Sequence, residues 1–177
     1  MTMNHLAFRI VSAIKKTNPE QTHSIEVMQY ALSIILNTLF IITVSLLIGG
    51  FTGQFMGTLI ALLSFGLLRM CSGGAHLKTA RACNITSIFI CSLIPHLTFL
   101  THSYLIWINL FTLISMVLFA PNPDRNAQLS KDRYLGLKLL SIMLVLSNFW
   151  INSSVIGLAF FIQSLTVIIP LQGRFSR

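Results

Sequence analysis

The chain has 177 residues, of which 54% are hydrophobic and only 9% charged, and its formal net charge is +8. Soluble domains carry roughly 25% charged residues, so the composition excludes an ordinary water-soluble globular protein and indicates helices that face lipid. The basic residues lie between long apolar runs and do not form one basic face, so no nucleic-acid partner is expected. The excess of positive charge instead favours contact with the headgroups of membrane lipids.

The N-terminal segment, residues 1–29, is predicted to lie at the inner membrane interface. The apolar face of a helix in this segment carries Leu6, Ile10, Val11 and Ile14. Basic and polar side chains lie largely on the other faces, as in helices that rest on a membrane. Pro19 is expected to end this helix, and residues 20–29 are expected to form a second short surface turn. The apolar stretches are too short for a cleavable signal peptide.

Six apolar stretches follow, each bounded by polar residues, glycine or proline. A helix needs about 20 apolar residues to cross the hydrocarbon core. The predicted spans are 30–48, 54–68, 83–100, 104–120, 139–151 and 155–169. The predicted fold class is therefore all-α: residues 1–177 form one integral membrane domain, a polytopic helix bundle of about six transmembrane helices with an N-terminal amphipathic helix. A four-span alternative makes the last two stretches a re-entrant pair.

All 12 Lys and Arg residues fall on one side of this topology. They lie in residues 1–29, in the 69–82 segment, in the 121–138 loop and in the C-terminal tail. The predicted outer connections have none; these are residues 49–54, 101–103 and 152–154. Because Lys and Arg concentrate in cytoplasmic loops, both termini and the 121–138 loop are predicted to be cytoplasmic.

Residues 69–83 form a polar interruption on that side and contain a histidine and a cysteine. A thiol and an imidazole can act together as nucleophile and general base, which makes Cys83 and His76 a candidate catalytic pair. A free thiol has a pKa of about 8.5, so nearby positive charge is needed to populate the thiolate. Candidates for that charge are Arg69, Lys78 and Arg81. On a straight helix His76 and Cys83 would lie about 10.5 Å apart along the axis, so the segment is expected to bend.

Two consecutive glycines precede the histidine. Gly73 and Gly74 permit a turn whose N–H groups could face an oxyanion. The supporting or oxyanion candidates are Arg69, Ser72, Gly73 and Gly74. No third residue that would orient His76 is evident, and the local options are Ser72, Thr79 and Asn84.

Other polar residues give weaker hypotheses. Cys71 is an alternative nucleophile, Cys91 is expected to pack between helices, and His96 is expected to be structural. A zinc site on Cys71, His76 and Cys83 lacks a convincing fourth ligand, so no metal is expected. Several amides could line a pore, but hydrogen bonds between helices are favoured; they are Asn37, Asn109, Asn148, Asn152 and Gln163.

The pattern Arg-x-x-Ser-Gly-Gly-x-His, with Cys after six further residues, resembles that of the accessory gene regulator B (AgrB) family. These are bacterial membrane-embedded cysteine endopeptidases that process the precursor of a cyclic quorum-sensing peptide. The resemblance implies that His76 is the general base and Cys83 the nucleophile, with Arg69 and Gly74 in supporting positions. Ala75 stands where the family often has an aromatic residue, and Leu77 where a small residue is common; these departures concern substrate contacts.

The resemblance also implies a mechanism and a location. Cys83 would cleave an amphipathic precursor peptide through a thioester, and an internal thiol or hydroxyl of the peptide would then close a thiolactone or lactone. No cofactor is implied, the location is the bacterial cell membrane, and a homodimer is allowed. The alternative function is a small multispan transporter or exporter without covalent catalysis. Such proteins carry ionisable residues within their spans. In this chain, His96 is the only such residue within the predicted spans.

Overall fold

The protein is a bundle of α-helices. The computed structural model describes residues 3–17, 23–75, 79–122 and 132–172. The helices are α1 Met3–Thr17, α2 Ile25–Phe51, α3 Phe55–Ser72, α4 Ala80–Thr101, α5 Leu105–Phe119, α6 Asp132–Ile151 and α7 Ser154–Gln172. A single 3₁₀ turn, His102–Tyr104, joins α4 to α5. Within the described ranges no β-strand occurs, which confirms the predicted all-α class.

Four helical stretches of the described chain are long and apolar enough to cross a membrane. They are Ile25–Phe51, Phe55–Ser72, Ala80–Phe119, which contains both α4 and α5, and Arg133–Ile151. A shorter apolar helix covers Ser154–Ile168. The surface of α2 shows why the environment is lipid: its buried residues are the small Ser45 and Gly49, whereas Leu39 and Leu47 are 54% and 56% exposed. Small residues inside and large apolar residues outside are typical of membrane helices, so the predicted helical membrane bundle is confirmed.

The loops fall into two groups at opposite ends of the bundle. Gly73, just after α3, pairs with Asn122, just after α5, and these residues mark what we call the site end. At the opposite end, Oγ1 of Thr52, just after α2, lies 3.3 Å from Nε2 of His96, near the end of α4. Successive helices from α2 onward therefore alternate in direction, as predicted for consecutive spans.

Helix α7 lies at the centre of the bundle. Its residues Leu158 and Ala159 belong to one apolar cluster with residues of α3 and α4. Its residues Phe160 and Val167 belong to a second cluster with residues of α3, α5 and α6. Because α7 joins both clusters, its polar side chains are held in a fixed relation to the ends of α3 and α5.

Several predicted boundaries are wrong because the helices continue through polar residues. Ile25 already begins α2, so the predicted surface turn at 20–29 is wrong; the Ser24 hydroxyl accepts a hydrogen bond from the N–H of Val27 at 3.4 Å and caps the helix. Helix α6 begins at Asp132, seven residues before the predicted span. Pro19 lies outside the described residues.

The N-terminal helix α1 packs on α2. Ala7 and Val11 are 0% and 2% exposed and form its inner face. Leu6 and Ile10, which the sequence placed on the apolar face, are 39% and 38% exposed. The helix therefore has one side on α2 and a second apolar side available to lipid, as an interfacial helix requires.

Candidate functional site

The chain leaves the α-helical conformation directly after α3. The N–H of Gly73 donates to the carbonyl of Arg69 at 3.0 Å, and Gly73 then adopts φ 70 and Gly74 φ 132. Left-handed glycines are a common way to end a helix. Helix α4 starts only at Ala80, so the polar segment does bend, as the distance between His76 and Cys83 along a straight helix required.

The loop after α3 is anchored by backbone hydrogen bonds to distant parts of the chain. The N–H of Gly74 donates to the carbonyl of Asn122 at 3.0 Å, and the N–H of Asn122 donates to the carbonyl of Ser72 at 2.8 Å. The N–H of Ala75 donates to the carbonyl of Thr166 on α7 at 2.8 Å. The start of the segment that leads to His76 is therefore fixed to the turn after α5 and to α7.

The hydrogen bonds of this loop involve the same N–H groups that the sequence suggested for an oxyanion site. The N–H groups of Gly73 and Gly74 both donate to carbonyls within the protein. In this conformation neither N–H faces a substrate, so the two glycines serve to shape the loop. A Cβ atom on Gly74 would lie 2.6 Å from the hydroxyl oxygen of Thr166, which shows how closely the loop approaches α7.

The Arg69 side chain crosses from α3 to this loop. Its Nη2 donates to the carbonyl of Ala75 at 2.7 Å, and its Nη1 donates to Gln163 Oε1 at 3.4 Å and to Thr166 Oγ1 at 3.5 Å. The guanidinium carbon lies 5.9 Å from the ring centroid of Phe65, within the range of a cation–π contact. Arg69 is thus a half-buried cation held by the loop, by α7 and by an aromatic ring.

Gln163 is the buried polar residue that links α7 to the loop. It is 0% exposed, and its Nε2 donates to the carbonyl of Gly73 at 2.6 Å and to Ser72 Oγ at 3.1 Å. The prediction that Gln163 bonds between helices is confirmed. Its place beside the site was not predicted, because the sequence separation of about 90 residues gives no local signal; a lone Gln in an apolar helix was the one available hint.

Asn122 and Thr166 were also missed as site residues. Asn122 is buried, and its Nδ2 donates to the carbonyl of Val167 at 3.1 Å, so it ties the turn after α5 to α7. A Pro-Asn-Pro sequence predicts a turn but not the distant chain with which that turn pairs.

Cys83 lies in the first turn of α4 and is half-buried. Thr79 caps this helix, since its Oγ1 accepts a hydrogen bond from the N–H of Ala82 at 3.2 Å. The positive end of a helix favours the thiolate form of a cysteine. The Arg69 guanidinium is close enough to Cys83 for an electrostatic interaction. Cys83 thus lies near both the start of α4 and the Arg69 guanidinium.

The predicted general base is His76. His76, Leu77 and Lys78 lie outside the described residues, so the pairing of His76 with Cys83 remains a prediction. Each local option for orienting His76 has another partner. Ser72 donates to the carbonyl of Leu68 at 2.8 Å, Thr79 caps α4, and Asn84 donates to Asn37 Oδ1 at 2.8 Å.

The remaining cysteines are buried within the bundle. Cys91 is 1% exposed and belongs to an apolar cluster, which confirms the prediction that it packs between helices. Cys71 is 8% exposed on α3 and is less accessible than Cys83. Within the described chain, no group of three or more His, Cys, Asp or Glu side chains could hold a metal ion.

The fold and the site together define a class: a helical integral membrane protein with a half-buried thiol at a helix start, near a half-buried cation. Comparison with known proteins gives the family. Residues 7–172 match the model of the family described as Accessory gene regulator B, so the chain belongs to that family, which functions in the accessory gene regulator quorum-sensing system. No solved structure matches the chain.

Individual relatives agree with this assignment. The chain is 32% identical over 97 residues to a putative AgrB-like protein of Halalkalibacterium halodurans, a match that covers 55% of this chain and 49% of that one. It is 28% identical over 141 residues to the accessory gene regulator protein B of Staphylococcus aureus, with 75% of both chains covered. The matched region thus spans about half of the first relative and three quarters of the second.

Proposed function

We propose that the protein is a membrane-embedded cysteine endopeptidase that cleaves a precursor peptide and promotes its cyclisation to a quorum-sensing signal. One observation carries this proposal: Cys83 is half-buried in the first turn of α4, within electrostatic range of the Arg69 guanidinium. A cysteine used only for packing needs no such environment, as the buried Cys91 illustrates. Family membership supports the same function.

The chemistry begins with the thiol proton of Cys83 passing to the imidazole of His76. The thiolate then attacks the carbonyl carbon of the scissile peptide bond, the C–N bond breaks, and the departing amine takes the proton from imidazolium. The N-terminal part of the peptide remains bound to Cys83 as a thioester. The Arg69 guanidinium, within electrostatic range of Cys83, would interact with the negative charge that the sulfur atom carries during these steps.

Cyclisation uses the energy retained in the thioester. An internal thiol or hydroxyl of the bound peptide attacks the thioester carbonyl, its proton passes to His76, and Cys83 departs as thiolate. The product is a thiolactone or a lactone. Hydrolysis competes with this step, and a site at the edge of the hydrocarbon region disfavours hydrolysis by limiting water.

The substrate would approach along the membrane surface. An amphipathic precursor lying in the inner interface would present its scissile bond near the start of α4, where Cys83 is located. The described Lys and Arg residues of α2–α7 all lie at this end of the bundle: Arg69, Arg81, Arg133 and Lys138. An acidic segment of the precursor would find complementary charge there.

The experiment is co-expression of the protein with a precursor peptide from the same gene cluster. Cys83→Ser and His76→Ala should each abolish precursor cleavage while membrane insertion is retained, and Cys91→Ser serves as the matched control with close to normal cleavage. Cleavage at the unsubstituted rate in either catalytic variant would reject the assigned pair. Complete loss of cleavage in Cys91→Ser, with Cys83→Ser active, would identify a different nucleophile.

A further inference from the structure

Resting on the proposed function, we infer that Gln163 on α7 is a positioning residue that holds the Arg69 guanidinium and the Gly73 carbonyl in a fixed relation beside Cys83. Its side-chain oxygen accepts hydrogen bonds from Arg69 at 3.4 Å and from Thr166 at 3.1 Å, and its nitrogen donates to Gly73 at 2.6 Å. Gln163 does not act on the substrate. It acts through Arg69 and through the loop that precedes His76.

The hydrogen-bond pattern requires an amide. The oxygen of Gln163 faces two donors, and its nitrogen faces the carbonyl of Gly73 and the hydroxyl oxygen of Ser72. A hydrocarbon side chain would remove these partners from the half-buried Gly73 carbonyl and Arg69 guanidinium, which is costly. A carboxylate would pair with Arg69 but would place a second acceptor against the Gly73 carbonyl. The two substitutions therefore disturb different parts of the arrangement.

Burial strengthens the inference. Gln163 is 0% exposed, so its hydrogen bonds are made away from bulk water, where electrostatic interactions are stronger. A negative charge introduced there would act on Arg69 with little screening. Because the Arg69 guanidinium lies within electrostatic range of Cys83, replacing the side-chain amide of Gln163 on α7 by a carboxylate should be detectable at the Cys83 sulfur on α4.

The other charged and titratable side chains of the bundle are the same in every variant. On the packed helices of the described chain they are Glu26 and Tyr30 on α2, Cys71 on α3, Arg81, Cys91 and His96 on α4, and Arg133, Tyr134 and Lys138 on α6. The described residues 154–168 of α7 contain none. His76 and Lys78 lie outside the described residues. Because these groups are common to all variants, a comparison between variants isolates the contribution of position 163.

The test is the pH dependence of alkylation of Cys83 by iodoacetamide, followed by mass spectrometry on the full-length protein in detergent. In Gln163→Glu the carboxylate neutralises Arg69, so the midpoint of the alkylation profile should move up by about one pH unit, the size of effect expected for a nearby charge. Asn148→Asp is the matched control, since Asn148 is a 0% exposed amide that bonds to Asn109 at the opposite end. Its profile should match that of the unsubstituted protein.

A second variant tests the loop without changing charge. In Gln163→Met, hydrogen–deuterium exchange of the peptide covering residues 70–75 should rise at least several-fold, while exchange of the peptide covering residues 105–118 stays constant. This measurement decides the proposal if Gln163→Glu fails to insert.

Three outcomes would each overturn the proposal. The first is that the alkylation profiles of Gln163→Glu and the unsubstituted protein superimpose. The second is an equal shift in Asn148→Asp, and the third is unchanged exchange in Gln163→Met. Neither readout needs a substrate, so failure of the peptidase proposal would be recognised separately by the cleavage assay.

Discussion

At the scale of single residues, Gly74 is the position that most strictly limits the shape of the loop. Its φ of 132 is rarely adopted by other residues, and a Cβ there would lie 2.6 Å from Thr166 Oγ1. Gly74→Ala should therefore strain the loop by about 1–3 kcal/mol and push it away from α7. We expect cleavage of the precursor to fall at least about tenfold, measured at equal amounts of inserted protein.

Gly66 is the matched control for this substitution. It lies within α3, and a Cβ there would meet nothing within 4 Å. Alanine is favoured over glycine inside a helix by up to about 1 kcal/mol, so Gly66→Ala should keep normal cleavage and an equal or higher unfolding temperature. Equal losses in both variants would show that any added methyl group on this part of the chain is harmful, and that the loop conformation of Gly74 is not the cause.

The candidate nucleophile can be recognised in the sequence, but the residues that surround it in the fold cannot. Cys83 stands out because a thiol follows a double glycine and a histidine in a short polar segment. Gln163 and Asn122 do not stand out, because their relation to the loop depends on how α5 and α7 pack. A hydrogen bond between residues about 90 positions apart has no periodicity that one sequence could reveal.

At the scale of secondary structure, the cap of α4 determines how its first turn is presented. Thr79 Oγ1 accepts from the N–H of Ala82, and Cys83 is the next residue. Loss of a cap costs about 1 kcal/mol and frays the first turn. Thr79→Ala should therefore slow cleavage several-fold, whereas Thr79→Ser, which keeps the acceptor, should stay close to the normal rate in the same assay.

Ser24 provides the comparison for this prediction. It caps α2 through the N–H of Val27 in the same way, but within the described residues no hydrogen bond joins it to the loop after α3. Ser24→Ala should lower the unfolding temperature by an amount similar to that for Thr79→Ala and leave the cleavage rate per folded molecule unchanged. A fall in cleavage in both variants would assign the effect to stability alone.

The helices themselves were largely predictable, and their ends were not. Long apolar runs identify a membrane helix because lipid offers no partners for backbone polar groups. The same runs do not mark where the helix stops, since a helix can continue into the interface with polar side chains. Helix α3 therefore extends through Arg69 to Ser72, and α6 starts at Asp132, both within segments that hydropathy assigned to loops.

At the scale of the whole molecule, the positive charges and the candidate site share one end. The described Lys and Arg residues of α2–α7 lie at the site end, and the described residues of the opposite end carry none. This agrees with the distribution predicted from the sequence, in which alternating spans place all basic loops together. By the positive-inside rule, we propose that the site end faces the cytoplasm, where thiols such as Cys83 remain reduced.

Cysteine labelling tests this orientation. In a variant with Cys71, Cys83 and Cys91 replaced by Ser, a single cysteine is introduced as Ser103→Cys at the opposite end or as Ala80→Cys at the site end; both positions are exposed. A membrane-impermeant maleimide should label position 103 in intact cells and position 80 only after permeabilisation, because the membrane separates the two ends. Labelling of position 80 in intact cells, with position 103 protected, would invert the topology. It would place Cys83 on the outer face, beyond reach of a precursor held at the inner surface.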